Sequence, residues 1–174
     1  MLGNWAAGLR PRWRNVVAMS SAGLLAFAAM FITAEERFGF VPGLERVFAP
    51  GKSPLLQAVD WNSLRPQVAG LPVQAIATLR WYDAGKIGYA LRNKIPVTVF
   101  GPEPHEFGVS TPPTSLVGKD ILLVAMPGDI SAITMAYAQD FKTLLPGPAL
   151  SVIYHNKVLL LIPTLIGHDL LHAP

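Results

Sequence analysis

The stretch from Ala75 to Gly101, A-I-A-T-L-R-W-Y-D-A-G-K-I-G-Y-A-L-R-N-K-I-P-V-T-V-F-G, holds a strand, a helix and a strand in 27 residues. Val73 to Trp81 is apolar, β-branched and aromatic with no long helical stripe, which predicts a buried strand. Asp83 stands where a helix N-cap belongs, its carboxylate facing the unpaired N–H groups of a first turn. Ala84, Ile87, Ala90 and Leu91 then follow at helical steps and give one apolar face. Arg92, Asn93 and Lys94 close the helix with cations near the negative end of its dipole. Pro96 prevents continuation, and Val97 to Phe100 reads as a second strand ended by Gly101-Pro102. A strand, a crossover helix and a strand at this length form a βαβ unit, whose crossover is right-handed almost without exception. The unit is the nucleus of an α/β domain.

Working outward, composition adds a membrane. Of the 174 residues 51% are hydrophobic and only 14% charged, against roughly 25% charged in ordinary soluble domains. Arg10, Arg12 and Arg14 precede the first acid, Glu35, and Val16 to Ala34 carries no charge. At ~1.5 Å per residue that run spans roughly 28 Å, close to the ~30 Å hydrocarbon core. The arginines place the N-terminus in the cytoplasm and the chain beyond Glu35 outside, in the periplasm or extracellular space. The competing reading is a cleaved signal peptide with Ile32-Thr33-Ala34 as a poor cleavage site, against which stands the length of the run. Of 14 Lys and Arg, 11 remain beyond the tail to face all 11 Asp and Glu. That neutral remainder removes the electrostatic support for a nucleic-acid partner. With no cysteine in the chain, thiolate catalysis, Cys-ligated zinc and disulfides are excluded.

Phe38 to Pro54 is rich in Gly and Pro and reads as a linker, with a short helix around Leu44 to Phe48. Asn62 or Ser63 can cap a helix running through Val68, with Pro66 in its first turn. Beyond the nucleus, Pro102 to Gly118 carries four prolines and the polar run Glu103, His105 and Glu106, a long loop of the kind that serves function. Ile121 to Met126 predicts a third strand, and Ser131 to Leu145 a helix with Ile133, Ala136, Tyr137 and Phe141 on one face. Leu150 to Tyr154 and Val158 to Ile162 predict a hairpin around His155-Asn156-Lys157. Gly167 to Pro174 reads as a frayed tail. The expected fold class is α/β: one transmembrane helix, then a three-layer α/β domain with a mostly parallel mixed sheet and the hairpin at an edge. The expected divisions are a basic tail over 1–15, the membrane helix over 16–34, linker and short helices over 35–70, the α/β domain over 71–165 and a tail over 166–174.

Chemistry-bearing motifs are sparse. Glu35-Glu36 reads as an interfacial stop to the spanning helix. Gly85-Lys86 opens a helix after a strand but lacks the first glycine and the hydroxyl of a phosphate loop, so Lys86 reads as a solvated charge. His168 and His172 have the spacing of a zinc-binding helix, yet Asp replaces Glu between them and no third ligand is evident. No catalytic residue, metal site or cofactor is expected. Arg80, Trp81, Asp83, Glu103, His105, Glu106 and Asp129 follow the carboxyl ends of predicted parallel strands, the edge where open α/β sheets bind ligands. They are the candidate contacts for a ligand or partner, Trp81 offering an apolar face beside the Arg80 cation. The alternative for Trp81 is packing against the helix it precedes.

The residues R-W-Y-D-A-G-K-I-G-Y-A-L at 80–91, then Pro96-Val97, Phe107-Gly108 and Gly118-Lys119-Asp120-Ile121-Leu122-Leu123-Val124, resemble the C-terminal extracytoplasmic portion of bacterial family-39 glycosyltransferases. These are relatives of the dolichyl-phosphate-mannose protein mannosyltransferases. The resemblance covers about residues 55–165 and implies a multi-spanning enzyme that moves sugar from a polyprenyl-phosphate donor. The catalytic acidic residues of that family lie in its first extracytoplasmic loop, which nothing here matches. The resemblance therefore implies an accessory domain, a fragment or split part, with the membrane, the multi-spanning remainder of a transferase and a glycan or polyprenyl-phosphate sugar as partners. The alternative is a stand-alone anchored module that binds a glycan, a small molecule or a protein.

Overall fold

The computed structural model describes residues 11–38, 56, 59–154 and 156–174. The chain divides into two compact units, Met1–Leu44 and Glu45–Pro174. In the first, α1 (Pro11–Phe38) begins earlier than the charge-free run and takes in Arg12 and Arg14. Its Arg12–Ala34 portion is long and apolar enough to cross a membrane. The linker and the short helix expected around 44–48 lie outside the described residues.

The second unit is mixed α/β. Its elements are α2 (Leu64–Val68), β1 (Ala75–Thr78), α3 (Trp81–Leu91), β2 (Val97–Val99), α4 (Phe107–Ser110), β3 (Ile121–Val124), α5 (Ile130–Tyr137), β4 (Phe141–Pro146), β5 (Leu150–Tyr154), β6 (Lys157–Ile162) and β7 (Thr164–Leu170). One sheet has the order β2-β1-β3-β7-β4, and β5 and β6 form a hairpin of their own. The βαβ nucleus is as expected: β1 pairs in parallel with β2, and Ala84, Ile87, Ala90 and Leu91 are all buried.

Alternation sorts the core into two layers. Ile76, Leu122 and Val124 point to the side covered by α3, α2 and the hairpin, with Trp61 and Leu64 among them. Ala75, Ala77, Ile121 and Leu123 point to the other, covered by Ile133 of α5 and by Leu116 from the 3-10 turn at Pro113–Leu116. A sheet buried on both faces needs this near-continuous apolar character in its central strands.

Four expectations are corrected. The helix expected over 131–145 stops at Tyr137, and Phe141–Pro146 is strand β4. The supposed tail is β7, held between β3 and β4 by antiparallel ladders on both sides. The sheet is thus half parallel and half antiparallel in its pairings rather than mostly parallel. The hairpin is not an edge of this sheet. It packs Leu150, Val152, Leu160 and Ile162 onto the α3 side of it.

The α/β core also starts before residue 71. Trp61, Leu64 and Val68 are buried in it. Ser63, expected as a helix cap, makes no cap bond. Its hydroxyl instead donates to the Ser151 carbonyl at 3.1 Å and accepts from the Ile153 N–H at 3.0 Å. The Gln67 amide bonds both the N–H and the carbonyl of Ser151 at 2.8 Å. Ser63, just before α2, and Gln67 within it thereby satisfy the edge of β5 that a further strand would otherwise pair.

Candidate functional site

Chain direction decides where a crevice opens. The chain leaves β1 into α3 on one side of the sheet, and leaves β3 into α5 on the other. Neighbouring parallel strands whose connections depart to opposite sides define the switch point at which open α/β sheets bind ligands.

A cleft of about 470 Å³ lies there, lined by Leu79 to Tyr82 after β1, Gly101 to Glu103 after β2, and Ala132, Ile133, Ala136 and Tyr137 of α5. Its walls are mainly apolar with a few convergent polar groups, the usual make-up of a binding pocket. The Arg80 guanidinium meets the Asp129 carboxylate at 3.1 Å, joining the ends of β1 and β3 across the crevice. The Tyr137 hydroxyl donates to the Phe100 carbonyl at the wall.

Trp81 is 45% exposed, so it does not pack away inside α3. Its ring lies 5.0 Å from His105 and 5.8 Å from Tyr82 in an edge-on arrangement. The His105 backbone takes a left-handed φ of 49°, and the imidazole also stands 4.0 Å from Glu103. The structure therefore brings together Arg80, Trp81, Glu103, His105 and Asp129 of the seven expected contacts. Glu106 does not join them. It precedes α4 as an exposed residue and is not among the residues that line this cleft.

Asp83 differs from expectation. The helix starts three residues sooner, Arg80 is the N-cap, and Asp83 occupies the first turn at 7% exposure. Its backbone N–H donates to the Arg80 carbonyl at 3.2 Å. Burial pushes the carboxyl up to about 6, opposed by Arg80 and Lys86 and reinforced by Asp129. The folded chain thus holds this proton at pH values where the unfolded chain has lost it. The stabilisation is full below about pH 4 and is lost as pH rises toward 6. Asp83→Asn is expected to flatten that slope and to raise stability near neutral pH by roughly 1–2 kcal/mol, a figure reduced for residual solvent screening. Urea midpoints from pH 4 to 8 measure it, and an Asn variant with the parent's slope would refute it.

Trp81 and Tyr82 also border a second cleft, of about 490 Å³, completed by Val59, Asp60, Trp61, Gly85, Lys86 and Tyr89. Sequence reasoning missed it. Lys86 is not a solvated charge: its ammonium donates to the Leu56 carbonyl at 2.7 Å and lies 5.0 Å from the Trp61 ring centre. Burial lowers its pKa, an effect that Asp83 opposes. Leu56, Asp60 and Trp61 are remote from Lys86 in sequence, and no local pattern connects them.

The two histidines at helical spacing are not on a helix. His168 in β7 binds Asp120 at 3.0 Å, and His172 beyond it approaches Asp140 at 3.6 Å. The His168 hydrogen bond is the main cause holding Asp120 below the usual carboxylate range. Among the described residues no group of three or more His, Cys, Asp or Glu side chains could hold a metal ion.

No family model, no curated protein and no solved structure matches this chain.

Proposed function

We propose that the chain is a membrane-anchored accessory module of a family-39-type glycosyltransferase, and that its crevice binds a glycan carrying an anionic group. The observation that carries the reading is the half-exposed Trp81 ring beside the Arg80–Asp129 pair. An exposed indole offers the C–H face of a sugar a large apolar contact at little entropic cost. Arg80 has five N–H donors, and the pairing with Asp129 leaves others to meet a carboxylate or phosphate oxygen. Pairing also holds the guanidinium in place before a ligand arrives, which reduces the cost of ordering it.

The resemblance supports the assignment to a transferase, since its densest motif is the segment that forms α3 and the shared wall of both clefts. The apolar α1 supports the anchor, with the globular unit on the extracytoplasmic side. Within it the Thr33 hydroxyl returns to the Ala29 carbonyl at 2.8 Å, as a polar side chain in hydrocarbon requires.

Binding is checked on the full chain in detergent micelles, using thermal shifts with oligosaccharides that do or do not contain a uronic acid. A ligand held by the native state raises its melting temperature. The acidic oligosaccharide is expected to stabilise the parent and to lose its effect in Trp81→Ala and Arg80→Ala. Trp81→Ala is expected to cost well under the ~3–5 kcal/mol of a fully buried tryptophan. Unchanged shifts in both variants would move the site elsewhere. Incubation with a polyprenyl-phosphate sugar and membranes is expected to give no transfer, and turnover would overturn the accessory role.

A further inference from the structure

The hairpin has an inner and an outer face, and they differ less than those of an ordinary surface hairpin. The inner residues Leu150, Val152, Leu160 and Ile162 are buried in the core. The outer face is also apolar: Ile153 is 42% exposed, Val158 opposite it 54% and Leu161 56%. Two large aliphatic side chains face each other across the strands with water on their far side, and a third lies one step along. Exposed apolar surface of this continuity marks a contact with something else.

Charge indicates what that is. From Phe141 to His168 the chain contains no Asp or Glu, while Lys142 and Lys157 are cationic. Lys157 stands at the hairpin tip, cross-strand from Tyr154. Apolar side chains with a lysine at the hairpin tip are the composition of a segment lying at a bilayer surface, where the ammonium reaches the headgroups. The backbone meets the same requirement, because Ser63 and Gln67 hydrogen-bond the outer edge of β5 and leave fewer unpaired groups to desolvate.

We propose that the outer face of the β5–β6 hairpin docks on the membrane, with Ile153, Val158 and Leu161 entering the interface and Lys157 pairing with anionic lipid headgroups. The inference rests on the anchoring role proposed for α1. It adds to that role a defined orientation, in which the lipid-facing surface is built by the hairpin rather than by α1.

The absence of cysteine makes single-site labelling direct. The full chain is reconstituted in phosphatidylcholine vesicles with and without phosphatidylglycerol, carrying an environment-sensitive fluorophore on Ile153→Cys or Leu161→Cys. The labels are expected to lose most of their emission to acyl-chain nitroxide lipids, and to lose more when phosphatidylglycerol is present. A label on the exposed Gln139→Cys is expected to keep its emission, and a label on Phe27→Cys in α1 to lose it. Adding Leu161→Asp is expected to restore emission at Ile153→Cys. Quenching at Phe27→Cys with hairpin labels that behave like Gln139→Cys would overturn the docking and leave the anchor standing. Blue-shifted hairpin labels that nitroxide lipids cannot quench would also overturn it, in favour of a second copy or a protein partner. An unquenched Phe27→Cys would remove both anchor and docking.

Discussion

Truncating the chain after Pro163 is expected to unfold the globular unit outright. The cut removes β7, the strand joining the parallel half of the sheet to β4. It deletes the ladder from Ile121↔Gly167 to Val124↔Thr164 and the longer one from Phe141↔Leu170 to Pro146↔Leu165. Leu165 and Leu170 leave the core, and the inward side chains of β4 lose their partners. Each buried leucine stabilises by about 2–5 kcal/mol when cavity terms are included. With two ladders added, the loss matches or exceeds the ~5–15 kcal/mol that an ordinary domain has in total. A second truncation, after Leu171, isolates the effect. It spares the Leu171 N–H bond to Asp140 at 2.7 Å and removes only the partly exposed His172–Asp140 contact. That chain is expected to melt close to the parent. A folded 1–163 chain, seen as a cooperative transition in circular dichroism, would contradict the central placement of β7.

The same strand shows where sequence legibility ended. The nucleus from 75 to 100 could be read because its signals are local, with helical steps at 84, 87, 90 and 91 between two β-branched runs. β7 could not, because Gly167, His168 and Asp169 are weak strand formers and their reasons are tertiary. A Cβ on Gly167 would stand 2.4 Å from the Phe141 ring, so glycine is required by a neighbour on another strand. His168 and Asp169 are anchored by the Asp120 carboxylate, far away in sequence. The helix expected over 131–145 failed for a related reason. Ile133, Ala136, Tyr137 and Phe141 do fall at helical steps, and no Gly or Pro separates Tyr137 from Phe141. Only the ladder with β7 makes the second part a strand, an instance of context overriding periodicity.

The candidate site was legible to the extent that topology alone dictates it. Residues after parallel strands converge at the switch point, and Arg80, Trp81, Glu103 and Asp129 do so through the cleft and the ion pair. Asp83 could be placed near them but not in its environment, since an N-cap and a buried first-turn carboxyl lie two or three residues apart in the same motif. The second cleft depends on Trp61 beneath Lys86, a contact between a presumed linker and the helix that no spacing rule encodes.

The other large effect is expected at Gly101, on the cleft wall. A Cβ built there would lie 2.0 Å from the Leu79 carbonyl oxygen and 3.1 Å from its carbon, both backbone atoms that no rotamer change can move. Relief requires the chain after β2 to pull away from the chain after β1. That motion strains the Phe100 N–H bond to the Thr78 carbonyl at 2.8 Å. It also disturbs Phe100, which is buried beside Phe141 and Tyr137 and whose carbonyl receives the Tyr137 hydroxyl. Gly101→Ala is therefore expected to cost about 2–4 kcal/mol, combining overpacking with a weakened ladder bond. It should also abolish the thermal shift with acidic oligosaccharide, because the cleft wall moves with it. Gly85→Ala supplies the contrast. Nothing lies within 4 Å of a Cβ at that position inside α3, so the change is expected to stabilise by about 0.5–1 kcal/mol through helix propensity alone. Urea denaturation of the two variants should move the midpoint in opposite directions. A Gly101→Ala variant as stable as the parent would mean that β1 and β2 do not run out side by side into the cleft.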